Sequence, residues 1–136
     1  MSYWSYSSYR SYFKSFPMNR IAVTMGDPAG IGGEIILKAL PRLAGRTIPI
    51  IIGDMKALAA IKTGLPSLPP LSFKGPGQGS PGDVEFLDLG FIDTVQPGIS
   101  DTRCGKASYL YIREALKLIF TGEASAVVTC PISKAS

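Results

Sequence analysis

The sequence predicts an α/β fold: a largely parallel sheet flanked by helices. Three observations lead there. The order strand, turn, helix occurs twice in succession, over 20–43 and 48–62, and a further helix and strand follow between Ser100 and Thr129. The first strand, Arg20 to Met25, is apolar with little alternation, as expected of a parallel strand covered on both faces. Strands separated by helices need crossover connections, and these make their sheet parallel.

Each element has its own justification. After Met25 comes a glycine-bearing turn, Gly26-Asp27-Pro28-Ala29-Gly30-Ile31-Gly32-Gly33, and then a helix from Glu34 to Leu43. Its expected inner stripe is Ile35, Ile36, Ala39, Leu40 and Leu43, with Lys38 and Arg42 outside. Pro41 and Gly45 end it. Ile48 to Ile52 is the second strand, with Pro49 tolerated at an edge or a first position. Asp54 then suits the N-cap of a helix over Met55 to Lys62. Thr63 to Gly82 is half Gly and Pro, a long loop or excursion. Val84 to Leu89 alternates as a half-exposed strand, with Val84 and Phe86 set against Glu85 and Leu87. A helix starts at Ser100 or Asp101, runs through Thr121 and stops at Gly122. Tyr109, Ile112, Leu116, Ile119 and Phe120 are its expected core stripe. Ala126 to Thr129 is a short buried strand, and Cys130-Pro131-Ile132-Ser133-Lys134 a loop.

Composition narrows the function. Of the 136 residues, 46% are hydrophobic and 18% charged, which is a globular balance with enough chain for one core. The net charge of +4 is mild and its basic residues are scattered, so nucleic-acid binding is not expected. No apolar run approaches the ~18 residues that suggest a membrane span. The chain has no histidine, which excludes imidazole bases and ligands from its own residues. Cys104 and Cys130 have no metal-like or redox-like spacing and suit a reducing, cytoplasmic compartment.

The first seventeen residues differ from the rest. They hold six serines, no acid, and tyrosine at every third position from Tyr3 to Tyr12. A transit peptide fits this composition only in part, and an aromatic surface arm has no supporting pattern. Residues 1–17 are expected to be a disordered leader, or sequence upstream of a start at Met18, with the domain over 18–136.

The turn after the first strand is the chief functional candidate, because such turns bring backbone N–H groups to a helix N-terminus where anions bind. Generic phosphate motifs fail on spacing. Four residues after Gly26 comes Ile31, not Gly-Lys-Ser/Thr. Gly30 and Gly32 match two positions of the dinucleotide fingerprint, but Ile35 fills the third. The Asp27 carboxylate also repels a bare phosphate. A structural reading stands beside the ligand-contacting one: Asp27 makes an Asx-turn, Pro28 fixes φ, and the glycines serve close packing.

The run Val23 to Glu34, VTMGDPAGIGGE, resembles the opening of the 4-hydroxythreonine-4-phosphate dehydrogenase family, a strand followed by M-G-D-P-A-G-I-G-P-E. The run Thr129 to Lys134 is similar to the family's T-A-P-I-N-K loop, with Cys130 and Ser133 in place of Ala and Asn. Gly33 stands where the family usually has Pro. The resemblance covers Met18 to Ser136. It implies an isocitrate/isopropylmalate-dehydrogenase-like architecture and an NAD-dependent oxidation, with decarboxylation, of 4-phosphooxy-L-threonine on the way to pyridoxal 5′-phosphate. It also implies a homodimer in full-length form and a divalent metal (Zn, Mg or Co) held by histidines that follow the T-x-P-x-x-K loop. Family members are more than twice as long, so this chain is expected to be their amino-terminal part and inactive alone. By the same resemblance, Asp27, Gly30 and Gly32 are nominated for cofactor binding, and Thr129 and Lys134 for the phosphorylated substrate. The favoured bland reading of Lys134 is a solvated loop lysine. Two further functions are carried: a paralogue acting on a phosphorylated sugar acid such as 4-phosphothreonate, and a non-catalytic dimerisation or binding module.

Overall fold

The protein is described here from a computed structural model covering residues 20–43, 45 and 47–133. Its elements are β1 (Arg20–Thr24), α1 (Gly32–Leu43), β2 (Ile48–Gly53), α2 (Met55–Thr63), β3 (Glu85–Asp88), α3 (Thr102–Phe120) and β4 (Ala126–Thr129). The sheet order is β3-β2-β1-β4 and every pairing is parallel. The leader, Ala44, Arg46 and Lys134 lie outside the described residues.

The topology follows from connection rules. From β1 to β2 to β3 the chain steps one way across the sheet, and then it returns to place β4 on the far side of β1. Crossovers of one hand put α1 and α2 on one face and α3 on the other. The side chains agree. Ile21, Val23, Pro49 and Ile51 point toward α1, whereas the alternate residues Ala22, Ile50 and Ile52 are fully buried under α3, which contacts β1, β2 and β4. The core joins Ile50, Ile51 and Ile52 to Met25, Leu58, Phe86, Tyr111 and Leu118.

Several sequence expectations are corrected. Pro49 lies in a central strand, not at an edge; β2 pairs β1 from Ile48 but β3 only from Ile50, so the missing N–H falls before the second ladder begins. The inner face of α3 is Cys104, Ala107, Ser108, Tyr111, Ala115 and Leu118. Small side chains let the helix lie close on the sheet, and Tyr109, Leu116 and Phe120 face outward as exposed apolar groups. On α1, Ile36 and Leu37 are buried while Ile35 is exposed. The strand β4 is not buried: Ala126, Val128 and Thr129 are exposed, because it forms the outer edge of the sheet.

Glu85 is the largest departure. In a strand expected to be half-exposed, it and its neighbour Phe86 are both buried. It pairs with Arg20 at 2.5 Å and accepts from Gly77 N and Gly79 N, both at 2.9 Å. These bonds tie the Gly/Pro-rich loop back onto the domain, where the Lys74 backbone pairs with β3 at Glu85, through Lys74 N to Val84 O and Phe86 N to Lys74 O, and Phe73 packs on Phe86 with ring centroids 5.2 Å apart. The segment is therefore a cover over the β3 edge. Removing one member of a buried ion pair strands the other, so Glu85→Ala should cost ~3 kcal/mol in urea unfolding, and Glu85→Gln, which keeps one acceptor, should cost less.

Candidate functional site

In an open parallel sheet, ligands bind beyond the carboxyl ends of the strands where the strand order reverses. Here that switch point lies between β1 and β4. Two loops meet there: Met25 to Ile31 after β1, and Cys130 to Ser133 after β4.

Backbone bonds join them. Cys130 N donates to Thr24 O at 3.2 Å, and Asp27 N to Pro131 O at 3.1 Å. Gly26 makes this approach possible. Its φ is +70°, and a Cβ there would lie 2.8 Å from the Cys130 carbonyl oxygen and closer still to that of Pro131. Gly32 is equally constrained: a Cβ would overlap Met25 O and sit 2.8 Å from the Cys130 Cβ. Both glycines are thus required by protein atoms.

The nominated residues divide accordingly. Asp27 is buried, and its Oδ1 accepts from Ala29 N at 2.8 Å while its carbonyl accepts from Gly30 N at 2.9 Å, an Asx-turn. Gly32 is buried in the lock with β4. Gly30 is exposed, and a Cβ there would come no nearer than 3.3 Å to Asp27 O. Thr129 is exposed at the carboxyl end of β4, beside Thr24 in register. Lys134 lies outside the described residues.

The carboxylates on this edge serve the protein's own amides. Asp88 accepts from Met55 N and Gly90 N, both at 3.1 Å, and Asp101 from Cys104 N at 3.0 Å. Asp54 stands at the N-cap position of α2 but makes no side-chain cap, contrary to the sequence expectation. It reaches instead across the sheet, accepting from Phe91 N at 2.5 Å, Ile92 N at 3.1 Å and the Tyr111 hydroxyl. Burial, then the adjacent Asp54 carboxylate, push the Tyr111 phenol well above its ordinary range. This tie fixes the loop after β3, whose Gly98 N donates to Ala29 O at 2.8 Å and steadies the turn.

Asp88 and Asp101 therefore cap α2 and α3. At α1 the residue whose carbonyl opens the helix is Ile31, bonded from Ile35 N at 3.0 Å; it has no acceptor side chain and is 61% exposed. The α1 N-terminus is thus the helix start at the switch point that no carboxylate caps, and its dipole favours a negative charge there. Beside the turn, Thr94, Gln96, Asp101, Arg103 and Cys104 line a polar cleft of about 380 Å³, in which Arg103 bonds Asp101 at 3.1 Å. The Thr24 hydroxyl is buried with no hydrogen-bond partner among the described residues. Neither the Asp54–Tyr111 tie nor Thr24 was nominated from the sequence.

No group of three or more His, Cys, Asp or Glu that could hold a metal is present among the described residues. The described residues do not fit a divalent ion. For a dinucleotide, Gly26 and Gly32 are used by packing, which leaves Gly30 and Ile31 as the exposed part of the turn.

Alanine at Gly26 should cost 2 kcal/mol or more, about the sum of a strained positive φ and a displaced loop, whereas Gly30→Ala should be within ~0.5 kcal/mol of wild type in urea unfolding. Burial raises both thiols, Cys104 and Cys130. Their thiolates are disfavoured in the fold, so alkylation of native protein at neutral pH should be at least about tenfold slower than after unfolding. As pH rises through the ordinary thiol range, the unfolded chain ionises first and native stability should fall.

The family profile described as Pyridoxal phosphate biosynthetic protein PdxA matches residues 46–136, more than half of the chain. A 4-hydroxythreonine-4-phosphate dehydrogenase of Sulfurihydrogenibium is 38% identical over 120 residues, covering 86% of this chain and 37% of that protein. A putative D-threonate 4-phosphate dehydrogenase of Symbiobacterium thermophilum is 37% identical over 121 residues, covering 84% and 36%. The solved 4-hydroxythreonine-4-phosphate dehydrogenase of Klebsiella pneumoniae superposes with TM-score 0.75 at 32% identity, covering 88% of this chain and 38% of its own. That from Burkholderia phymatum gives TM-score 0.76 at 29%, covering 87% and 38%. The chain thus spans little more than a third of the length of these relatives. With the profile match and the shared parallel sheet agreeing, this chain belongs to the PdxA family of pyridoxal phosphate biosynthetic proteins.

Proposed function

We propose that this chain forms one wall of the substrate cleft of an NAD-dependent dehydrogenase acting on 4-phosphooxy-L-threonine in pyridoxal 5′-phosphate biosynthesis. The supporting observation is the lock between the β1–α1 turn and the β4 loop at the switch point, in a chain whose relatives carry that enzyme's name. Gly30 and the first-turn amides of α1 receive an anionic group of the cofactor, while the buried Asp27 holds the turn in shape. Thr129 offers its hydroxyl to the substrate from the exposed end of β4, and Lys134 follows in the same loop as a phosphate partner. When bound, a nicotinamide accepts the hydride removed from the secondary alcohol. The divalent metal's ligands come from other residues of a longer, cytoplasmic, homodimeric enzyme, and the 136-residue chain is inactive alone.

A segment exchange tests this. Residues 20–133 replace the corresponding stretch of the Klebsiella pneumoniae enzyme, and NADH formation is followed with 4-phosphooxy-L-threonine and, separately, D-threonate 4-phosphate. The expected result is turnover of the first substrate, with Thr129→Ala raising KM by about tenfold and kcat changing less. A folded chimera that oxidises only the second substrate assigns the chain to the paralogue. A folded chimera inert toward both makes it a non-catalytic module.

A further inference from the structure

The exposed turn at Gly30 is held from two sides. One support is the backbone lock with the β4 loop. The other comes along the loop after β3, whose Gly98 N donates to Ala29 O. This second support starts at two buried polar side chains on other segments: Asp54, which follows β2, and Tyr111 on α3.

The loop can carry position because both of its ends are stiff. At its base the Ile92 side chain lies in the core, and the Phe91 and Ile92 amides converge on one Asp54 oxygen. The other Asp54 oxygen takes the Tyr111 hydroxyl. At its tip, Gln96-Pro97-Gly98-Ile99 is a closed turn, in which Ile99 N donates to Gln96 O at 3.0 Å and Gly98 has φ +80°. Proline followed by glycine of positive φ is the type II pattern, a turn with little freedom left in its backbone. Residues 93–95 join base to tip. Lys56 bonds Asp93 at 2.8 Å, but both side chains are exposed, where such pairs hold little. The base is therefore oriented chiefly by Asp54. A buried carboxylate needs donors on both oxygens. Without the phenol one oxygen is left stranded, and the carboxylate must turn or shift, taking the two loop amides with it.

We propose that the Asp54–Tyr111 pair sets the position of the Gly30 turn from the α3 side of the sheet, acting through the loop after β3 and separately from the β4 lock. Both are positioning residues. The coupling stands whatever group the turn receives.

Amide exchange in the full chain tests this. Tyr111→Phe keeps the ring and removes only the hydroxyl. It should speed exchange at Phe91, Gly98 and Gly30 by about tenfold. The lock amides of Asp27 and Cys130, and the Met25 amide bonded to Ile52 O, should stay within about threefold of wild type. Asp54→Ala should act in the same way, and in its background Tyr111→Phe should add less than about twofold, as expected of two residues on one path. Combined with Tyr111→Phe, Asp54→Asn removes the stranded charge and keeps an acceptor for the two amides, so exchange at Gly98 and Gly30 should return toward wild type. A loss of packing would not be rescued by that change. Faster exchange at Phe91 with Gly98 and Gly30 unchanged overturns the proposal, because the loop then transmits nothing. Equal acceleration at Met25 and the lock amides, or no rescue by Asp54→Asn, overturns it as well. If Asp54→Ala does not fold, the contrast between Tyr111→Phe and its combination with Asp54→Asn decides alone.

Discussion

The fold depends on one close approach. Gly26 and Gly32 let the loops after β1 and β4 touch through backbone, with Pro131 O accepting from Asp27 N and the Cys130 side chain against Gly32. A side chain at either position would drive the loops apart. The switch-point crevice would then lose its shape, whatever the remaining sheet did. Strain and stability meet here: a positive φ is tolerated because the surrounding bonds over-determine it.

Two buried carboxylates carry the next level of order. Glu85 gathers Arg20 and two loop amides beside the β3 edge, and Asp54 gathers two loop amides and the Tyr111 hydroxyl on the carboxyl edge. Each replaces lost hydration with several donors, which is what makes a buried carboxylate tolerable. Each also holds a segment with little regular structure of its own. Asp54 in turn restrains the loop that reaches Ala29 through Gly98. The candidate site is therefore supported from beneath by groups that do not face it.

The sequence made the architecture legible because the signals were local. Strand and helix order, the Asp101 cap, the Gly122 stop and the glycine-bearing turn all follow from short-range chemistry, and the observed bounds agree within about two residues. What was misread depends on partners far along the chain. The burial of Glu85 rests on Arg20, 65 residues away, together with the amides of Gly77 and Gly79, and the strand pattern alone shows neither. Asp54 has the right position for a cap, but Tyr111 and the Phe91–Ile92 amides compete for it and win. On α3 helical spacing alone points to the larger residues, whereas close packing on a sheet selects Ala107, Ser108 and Ala115. At the site, the Asx-turn of Asp27 was legible from Asp-Pro, but that Gly26 and Gly32 serve β4 was not, because β4 lies about a hundred residues downstream.

The position of β4 has a consequence for how the domain assembles. The Ser125 hydroxyl and Arg20 carbonyl that meet at its start are 105 residues apart in the chain. The β1–β2 and β2–β3 ladders close much shorter spans. Closing a longer loop carries the greater entropic cost, and during synthesis the β4 loop is the last of these segments to emerge. Three strands can pair, and Glu85 can engage Arg20, while the turn at Gly26 still lacks its acceptor at Pro131. The crevice is completed when β4 joins β1, so its geometry reports on whether these four strands have come together.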